Sequence, residues 1–253
     1  MGLESFFGGI LDIEEFLGVF TVSCIAAVVC FQQGKKRHRI HQLMVDTQTS
    51  KADELTEGPC EVQGQVDAIG SAFTSPWTQQ QCVYYDFQVK EKRTRKSGKT
   101  TTTYWAKYVT DLKVRPFILK DSSGAVEINP AGADFSVSAD AREQSGFGDD
   151  APAELQVLLK DRYNASTQGW VFNKTLRYTE KVLAVGDTVY IFGEARWKGD
   201  KLVIGSGLMP LIITEHGVHL EEMVYANSAT RYLVGMIISI LIGLATIVLG
   251  LIG

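Results

Sequence analysis

Leu233 to Ile252 is a run of 20 residues without a charge, broken only by Gly235, Ser239, Gly243, Thr246 and Gly250. At about 1.5 Å per helical residue it reaches roughly 30 Å, the thickness of a bilayer's hydrocarbon core. Arg231 and Tyr232 stand immediately before it, a cation and an aromatic ring where a spanning helix meets headgroups. The run therefore predicts a membrane-spanning helix. Its small residues recur at spacings of four and three, which puts them on one helix face and predicts close packing against another helix. The alternative is that glycine and serine are simply frequent in membrane helices.

A second apolar run, Phe16 to Phe31, is extendable upstream through Ile13 and Leu11. Acids (Asp12, Glu14, Glu15) precede it and the cluster Lys35, Lys36, Arg37, His38, Arg39 follows it, the reverse of the charge order of a secretory signal. Positive charge stays on the cytoplasmic side of a span. The expected topology is an integral plasma-membrane protein crossing twice, with both termini outside and the intervening residues in the cytoplasm. Ser23 and Ala27 on the first span are the candidate neighbours of the glycine stripe, within one chain or in a homo-oligomer.

Both ends are apolar and the middle is polar, so the net charge of −4 averages two regimes. Four cysteines are too few and too scattered for a disulfide framework or a two-zinc module. Cys24 and Cys30 lie in the first apolar run. Cys60 and Cys82 lie in strand-like segments, where two half-buried free thiols are expected; a disulfide between them would need an oxidising compartment.

Period-two alternation begins at Cys60, with Glu61, Gln63 and Gln65 pointing away from Cys60, Val62, Gly64 and Val66. Val83, Tyr85, Phe87 and Val89 share a second strand face, and Thr101 to Val114 returns from a tip at Ser97-Gly98 as a long hairpin. Phe117 to Leu119 and Ala125 to Ile128 flank a turn at residues 120–124 and form a tighter hairpin. Residues 131–150, small and polar, are expected as a surface loop. Asp150, Pro152 and Glu154 mark a helix start, with Leu155, Leu158 and Leu159 as its apolar stripe. Strands are expected again at Trp170 to Phe172, Lys174 to Leu183, Thr188 to Phe192, Leu202 to Ile204 and Leu208 to Thr214. The fold class is thus a mainly β domain, an OB-like barrel or a sandwich with one short helix, bracketed by two transmembrane helices. The expected divisions are an N-terminal tail and first span (1–33), a juxtamembrane stalk (34–57), the β-domain (58–214), a linker helix (215–232) and the second span (233–253).

Four stretches taken in order carry a resemblance. They are Thr56-Glu57-Gly58 with Cys60-Glu61-Val62-Gln63-Gly64; Ser75-Pro76 with Cys82-Val83-Tyr84-Tyr85; Pro116-Phe117, Leu119, Asp121 and Gly124; and Tyr178-Thr179-Glu180 with Leu183, Val185-Gly186-Asp187, Val189 and Gly193. Together they resemble the GIDE domain, over roughly Val45 to Thr230 and the flanking spans. The resemblance implies kinship with two-span mitochondrial ubiquitin ligases that carry a C-terminal RING. In those relatives the domain faces the intermembrane space, whereas charge bias here places it in the cytoplasm. The chain ends at Gly253 with no Cys/His array, so it looks like the prokaryotic members. The family implies no catalytic residue inside the domain, and none is assigned.

Lys90, Lys92, Arg93, Arg95, Lys96 and Lys99 crowd the hairpin tip against one acid, Glu91, with Tyr104, Trp105 and Tyr108 following. Such a segment suits anionic lipid headgroups or an acidic protein and, less well, a nucleic-acid backbone; it is equally a solvated hairpin whose lysines discourage edge-to-edge pairing. His216 and His219, flanked by Glu215, Glu221 and Glu222, are weak metal candidates, because Gly217 interrupts the helix that would align them. No acid, base and nucleophile set can be assembled, and no cofactor motif stands out. The sequence is read as a non-catalytic membrane scaffold or adaptor, self-associating through its spans, with an unidentified protein partner. A polyanion-binding module and a component of a ligase-type system acting with a separate partner are the alternatives.

Overall fold

The computed structural model describes residues 13–146, 148–169 and 173–252, with side chains described for 18–217, 225–246 and 248 within those ranges. Two compact units divide the chain, one made of its two long helices and the other running from Thr47 to Val218.

In the helical unit, α1 (Ile13–Asp46) and α3 (Val218–Ile252) are each long and apolar enough to cross a membrane. α2 is the short helix Ala153–Tyr163 of the other unit. The helix of the first span continues without a break through the region read as a stalk as far as Asp46, and linker and second span are one helix. Val22, Ile25, Ile238 and Leu241 are exposed, as lipid-facing side chains are. The small stripe meets α1 of the same chain. The Ser23 hydroxyl donates to the Ser239 carbonyl, and a Cβ on Gly243 would come within 3.2 Å of Ser23 Oγ. A Cβ on Gly235 would stand 3.3 Å from the Cys30 sulfur. Thr246 is buried and caps its own turn, donating to the Gly243 carbonyl at 2.7 Å, and Ala27 is half-buried. The surroundings of Gly250 lie outside the described residues.

Among the described residues the second unit holds thirteen strands. The first seven are β1 (Thr49–Ser50), β2 (Gly58–Ala68), β3 (Phe73–Thr74), β4 (Gln81–Ser97), β5 (Thr100–Val114), β6 (Phe117–Lys120) and β7 (Ala125–Ile128). Then follow β8 (Asp134–Ser136), β9 (Ala141–Ser145), β10 (Leu176–Ala184), β11 (Thr188–Lys198), β12 (Lys201–Gly205) and β13 (Ile212–Thr214). Five of them close a barrel in the order β2-β6-β7-β12-β11, with β11 returning to β2 and the β7–β12 pair parallel. That ring order is the OB-type connectivity, so the choice between barrel and sandwich falls to the barrel. Val62, Val66, Phe117, Leu119, Ile128, Val189, Ile191 and Ile204 fill it.

Two glycines allow the barrel to close. A Cβ on Gly64 would stand 2.5 Å from the Lys120 carbonyl oxygen, and one on Gly193 would meet Leu211 Cδ1 at 2.8 Å. The β6–β7 turn is built on Asp121, whose Oδ1 accepts the amides of Ser123 (2.7 Å) and Gly124 (2.9 Å) while Oδ2 accepts the Ala52 amide (2.8 Å). The turn before β11 uses Asp187 in the same manner, its carboxylate accepting the Ala184 amide at 2.7 Å.

A second sheet is inserted into the barrel's connections, with β4 between β5 and β10, and β9 beyond β10. Several local expectations change. Residues 131–150 are not merely a loop, since β8 pairs in parallel with β13 and β9 pairs with β10. Their partners are far away in sequence, so polar composition conceals them. Asp150 does not cap α2; Pro152 occupies the N-cap without a side-chain bond, and the Asp150 carboxylate accepts from Asn173. The last strand is confined to β13, because the Leu208 amide is taken by Glu194 Oε2 at 2.8 Å. Glu61, expected outward, is buried and accepts the Thr49 hydroxyl at 2.8 Å. The strand expected at Trp170 to Phe172 lies outside the described residues.

Candidate functional site

The β4–β5 hairpin is the longest in the molecule, 17 residues against 15, turned at Gly98 with φ 58°. Its two faces differ because side chains alternate along each strand. One face carries Phe87 and Val89 of β4, continued by Leu176 and Tyr178 of the paired β10, all buried against Leu155 and Leu159 of α2. α2 is fastened there through Asp111, whose Oδ2 accepts from Tyr163 Oη (2.8 Å), Tyr85 Oη (3.1 Å) and the Arg162 guanidinium (3.1 Å). Burial first, and then the Asp111 charge, push the Tyr85 phenol up to about 12. Both tyrosines therefore remain protonated donors at neutral pH.

The other face begins inside the barrel and ends in solvent. Tyr84 and Leu183 pair across β4 and β10 and belong to the barrel core, with the Tyr84 ring stacked on Phe135 at 3.9 Å. One step along, Asp86 lies between Lys181 and Leu112. The next row is Arg142, Thr179, Gln88 and Thr110, and the one after it Gln144, Arg177, Lys90 and Lys107. Lys92 then pairs with Trp105, and Lys96 with Thr101. These rows hold seven cations (Arg142, Arg177, Lys181, Lys90, Lys107, Lys92 and Lys96) and a single acid, Asp86. The Arg177 guanidinium lies over the Trp105 ring at 4.2 Å, a cation–π contact that holds both planar groups in place. Leu112 and Val114, on β5, are exposed on the same face.

The six hairpin cations are thus divided. Lys90, Lys92 and Lys96 share the face just described. Register turns Arg93 and Arg95 to the opposite side, where Arg93 pairs with Glu91 at 2.6 Å, and Lys99 sits in the exposed turn. Lys107, Arg142, Arg177 and Lys181 were not singled out from the sequence. Only the alternation of Lys107 with Trp105 was visible locally; the rest arrive through strand pairing.

His216 is exposed, its Nε2 2.9 Å from the Ser138 hydroxyl, and neighbouring Glu215 accepts the Ser138 amide at 3.0 Å. The two residues fasten the segment after β8. The His219 side chain lies outside the described residues, and among the described residues no three His, Cys, Asp or Glu side chains are gathered as a metal site. All four cysteines are free thiols. Cys60 and Cys82 are buried, and burial pushes each thiol up to about 11.

Among known proteins, a family model described as GIDE, E3 ubiquitin ligase, matches residues 87–250, which takes in the second sheet except β3 and the start of β4, every barrel strand except β2, and most of α3. Neither the curated proteins nor the solved structures contain a match.

Proposed function

The chain belongs to the GIDE family, and on that basis we propose that it is a non-catalytic, membrane-anchored scaffold of a ubiquitin-ligase-related system whose β-module holds an acidic protein partner. The observation that carries this reading is the one-sidedness of the second sheet: one face is consumed by α2, and the other presents seven cations against one acid. A protein partner suits the face better than a phosphate chain does. Exposed Leu112 and Val114 lie among the cations and offer apolar area that a phosphate backbone would not use, while Trp105 and Arg177 are residue types favoured at protein interfaces.

The test is photocrosslinking in native membranes from Thr103, which shares the basic face, at rising salt. A partner held by this face is captured by the parent, released as salt screens the cations, and lost from Lys92→Gln/Lys96→Gln/Lys107→Gln. Equal capture by parent and triple variant overturns the proposal. So does loss of capture accompanied by equally cation-dependent binding to anionic vesicles alone, which would make the face a general polyanion surface.

The cytoplasmic placement of the β-module belongs to the same proposal, supported by the cluster Lys35 to Arg39 after the apolar part of α1. Labelling of intact cells at Gly2→Cys but not at Ser97→Cys supports it, and the reverse pattern refutes it. Self-association through the spans is proposed from the small stripe of α3 alone, the same stripe that meets α1 within one chain. Monomeric sedimentation in nanodiscs would exclude it.

A further inference from the structure

The helical unit contains a cavity of about 400 Å³ between α1 and α3, within the size range of small-ligand sites. Its chemistry is graded along the helices. At one end lie Phe31 and Cys30 of α1 with Leu233 and Met236 of α3, all apolar. At the other end α1 presents Lys35, His38 and His41, while α3 presents only Ala226, Ala229 and Thr230. Long basic side chains on one wall face small ones on the other, which leaves room for a guest. Gly34 marks the junction, where a Cβ would already stand 3.5 Å from Tyr232 Cβ. Among the described residues no Asp or Glu lines the cavity, and the neighbouring Arg37 is engaged elsewhere, over the Tyr225 ring at 4.9 Å.

With α1 and α3 taken as membrane-spanning, the gradient matches one class of molecule. Lys35 and His38 stand four and seven residues beyond Phe31, about 6 and 10 Å further along the helix axis, at the depth where headgroup phosphates lie. The apolar end lies in the acyl region. Phe31 and Leu233 are each more than half exposed, so the crevice opens sideways to lipid. The Lys35 ammonium, 5.2 Å from the centre of the Phe31 ring, bridges the two zones. We propose that this crevice is a specific site for one anionic phospholipid of the host bilayer, its acyl chain along Phe31, Leu233 and Met236 and its phosphate against Lys35, His38 and His41.

The site is distinct from the basic sheet face, and the two are separable by experiment. Full-length protein extracted in a mild detergent is examined by native mass spectrometry while phosphatidylglycerol or phosphatidylcholine is added. The expected result is preferential retention of phosphatidylglycerol. Lys35→Gln/His38→Gln/His41→Gln should weaken retention, by about fivefold through the lost Lys35 charge alone. Ala229→Leu, which fills the crevice from the other helix and leaves every charge in place, should also weaken it. Lys92→Gln/Lys96→Gln/Lys107→Gln on the sheet should leave it unchanged, so failure of the docking proposal leaves this one standing. Equal retention of the two lipids overturns the proposal, as does undiminished phosphatidylglycerol binding by the Lys35/His38/His41 variant. Displacement of the lipid by millimolar inorganic phosphate also overturns it, since the acyl chain would then contribute nothing.

Discussion

Glu180 and Thr78 are joined twice: the Thr78 amide (2.8 Å) and hydroxyl (2.6 Å) both donate to Glu180 Oε2, and the Glu180 side chain is fully buried. The other carboxylate oxygen accepts the Trp77 amide at 2.8 Å. The two residues directly after Ser75-Pro76 are thereby fastened to the stretch Tyr178-Thr179-Glu180, joining two neighbourhoods of the family resemblance. Ser75, itself buried, completes the strap by contacting Thr78 Oγ1 at 2.9 Å. Glu180→Ala leaves two amides of that strap without an acceptor inside the module, and is expected to cost about 3 kcal/mol. Thermal unfolding of the full-length protein in detergent would show it, and a change below about 0.5 kcal/mol would refute the anchoring role.

Gly64→Ala should destabilise the module by about 1–3 kcal/mol, because the new methyl meets the backbone of β6 and cannot be accommodated by a side-chain rotation. Gly124→Ala is the matched control. Its Cβ would meet nothing closer than 3.9 Å, so it should be close to neutral by the same melt.

Acid should weaken the β6–β7 turn through Asp121. Hydrogen bonds from the Ser123 hydroxyl, and then from the Ala52, Ser123 and Gly124 amides, hold its carboxyl well below the usual range. Its folded-state pKa is depressed, so the stabilisation is present above the ordinary carboxylate range and is lost as pH falls toward the folded value. Asp121→Asn should show a shallower acid limb of stability than the parent; identical limbs would count against the assignment.

Alkali should act through the buried thiols. Cys60 and Cys82 are both pushed up to about 11, so their contribution is complete below the ordinary thiol range and is lost as pH rises through about 11. At neutral pH maleimide should modify neither residue until the module unfolds, whereas exposed Cys24 should react in detergent. Rapid labelling of native Cys60 would contradict the burial.

The basic face should prove dispensable for folding. Lys92, Lys96 and Lys107 are exposed, so changing all three to Gln should alter stability by no more than about 0.5 kcal/mol per site while removing salt-sensitive partner capture. Capture lost together with a collapsed melt would point to misfolding instead.

Much of the architecture was legible because it is written in local patterns. The apolar runs ending at Phe31 and Ile252 need only length and composition, and the hairpins turning at Gly98 and at Asp121 to Gly124 need only alternation and turn chemistry. β8 and β9 were hidden because their stability comes from Ile212 to Thr214 and Leu176 to Glu180, residues far along the chain. The candidate face was half visible: the hairpin cations stood out as a cluster, but alternation on β4 sends Arg93 and Arg95 to the side opposite Lys90, Lys92 and Lys96.

By itself, then, the sequence determined that two apolar segments bracket a β-rich module and that a hairpin in it is basic, since hydrophobicity, turn propensity and charge are properties of short stretches. Only the tertiary structure decided that the barrel closes in OB-type order, that Glu61 and Glu180 are buried acceptors, and that Arg142, Arg177 and Lys181 share one sheet face with the hairpin lysines. The reason is register: pairing across β9, β10, β4 and β5 sets which side chains share a face, and the contacts that set it join residues far apart in the chain.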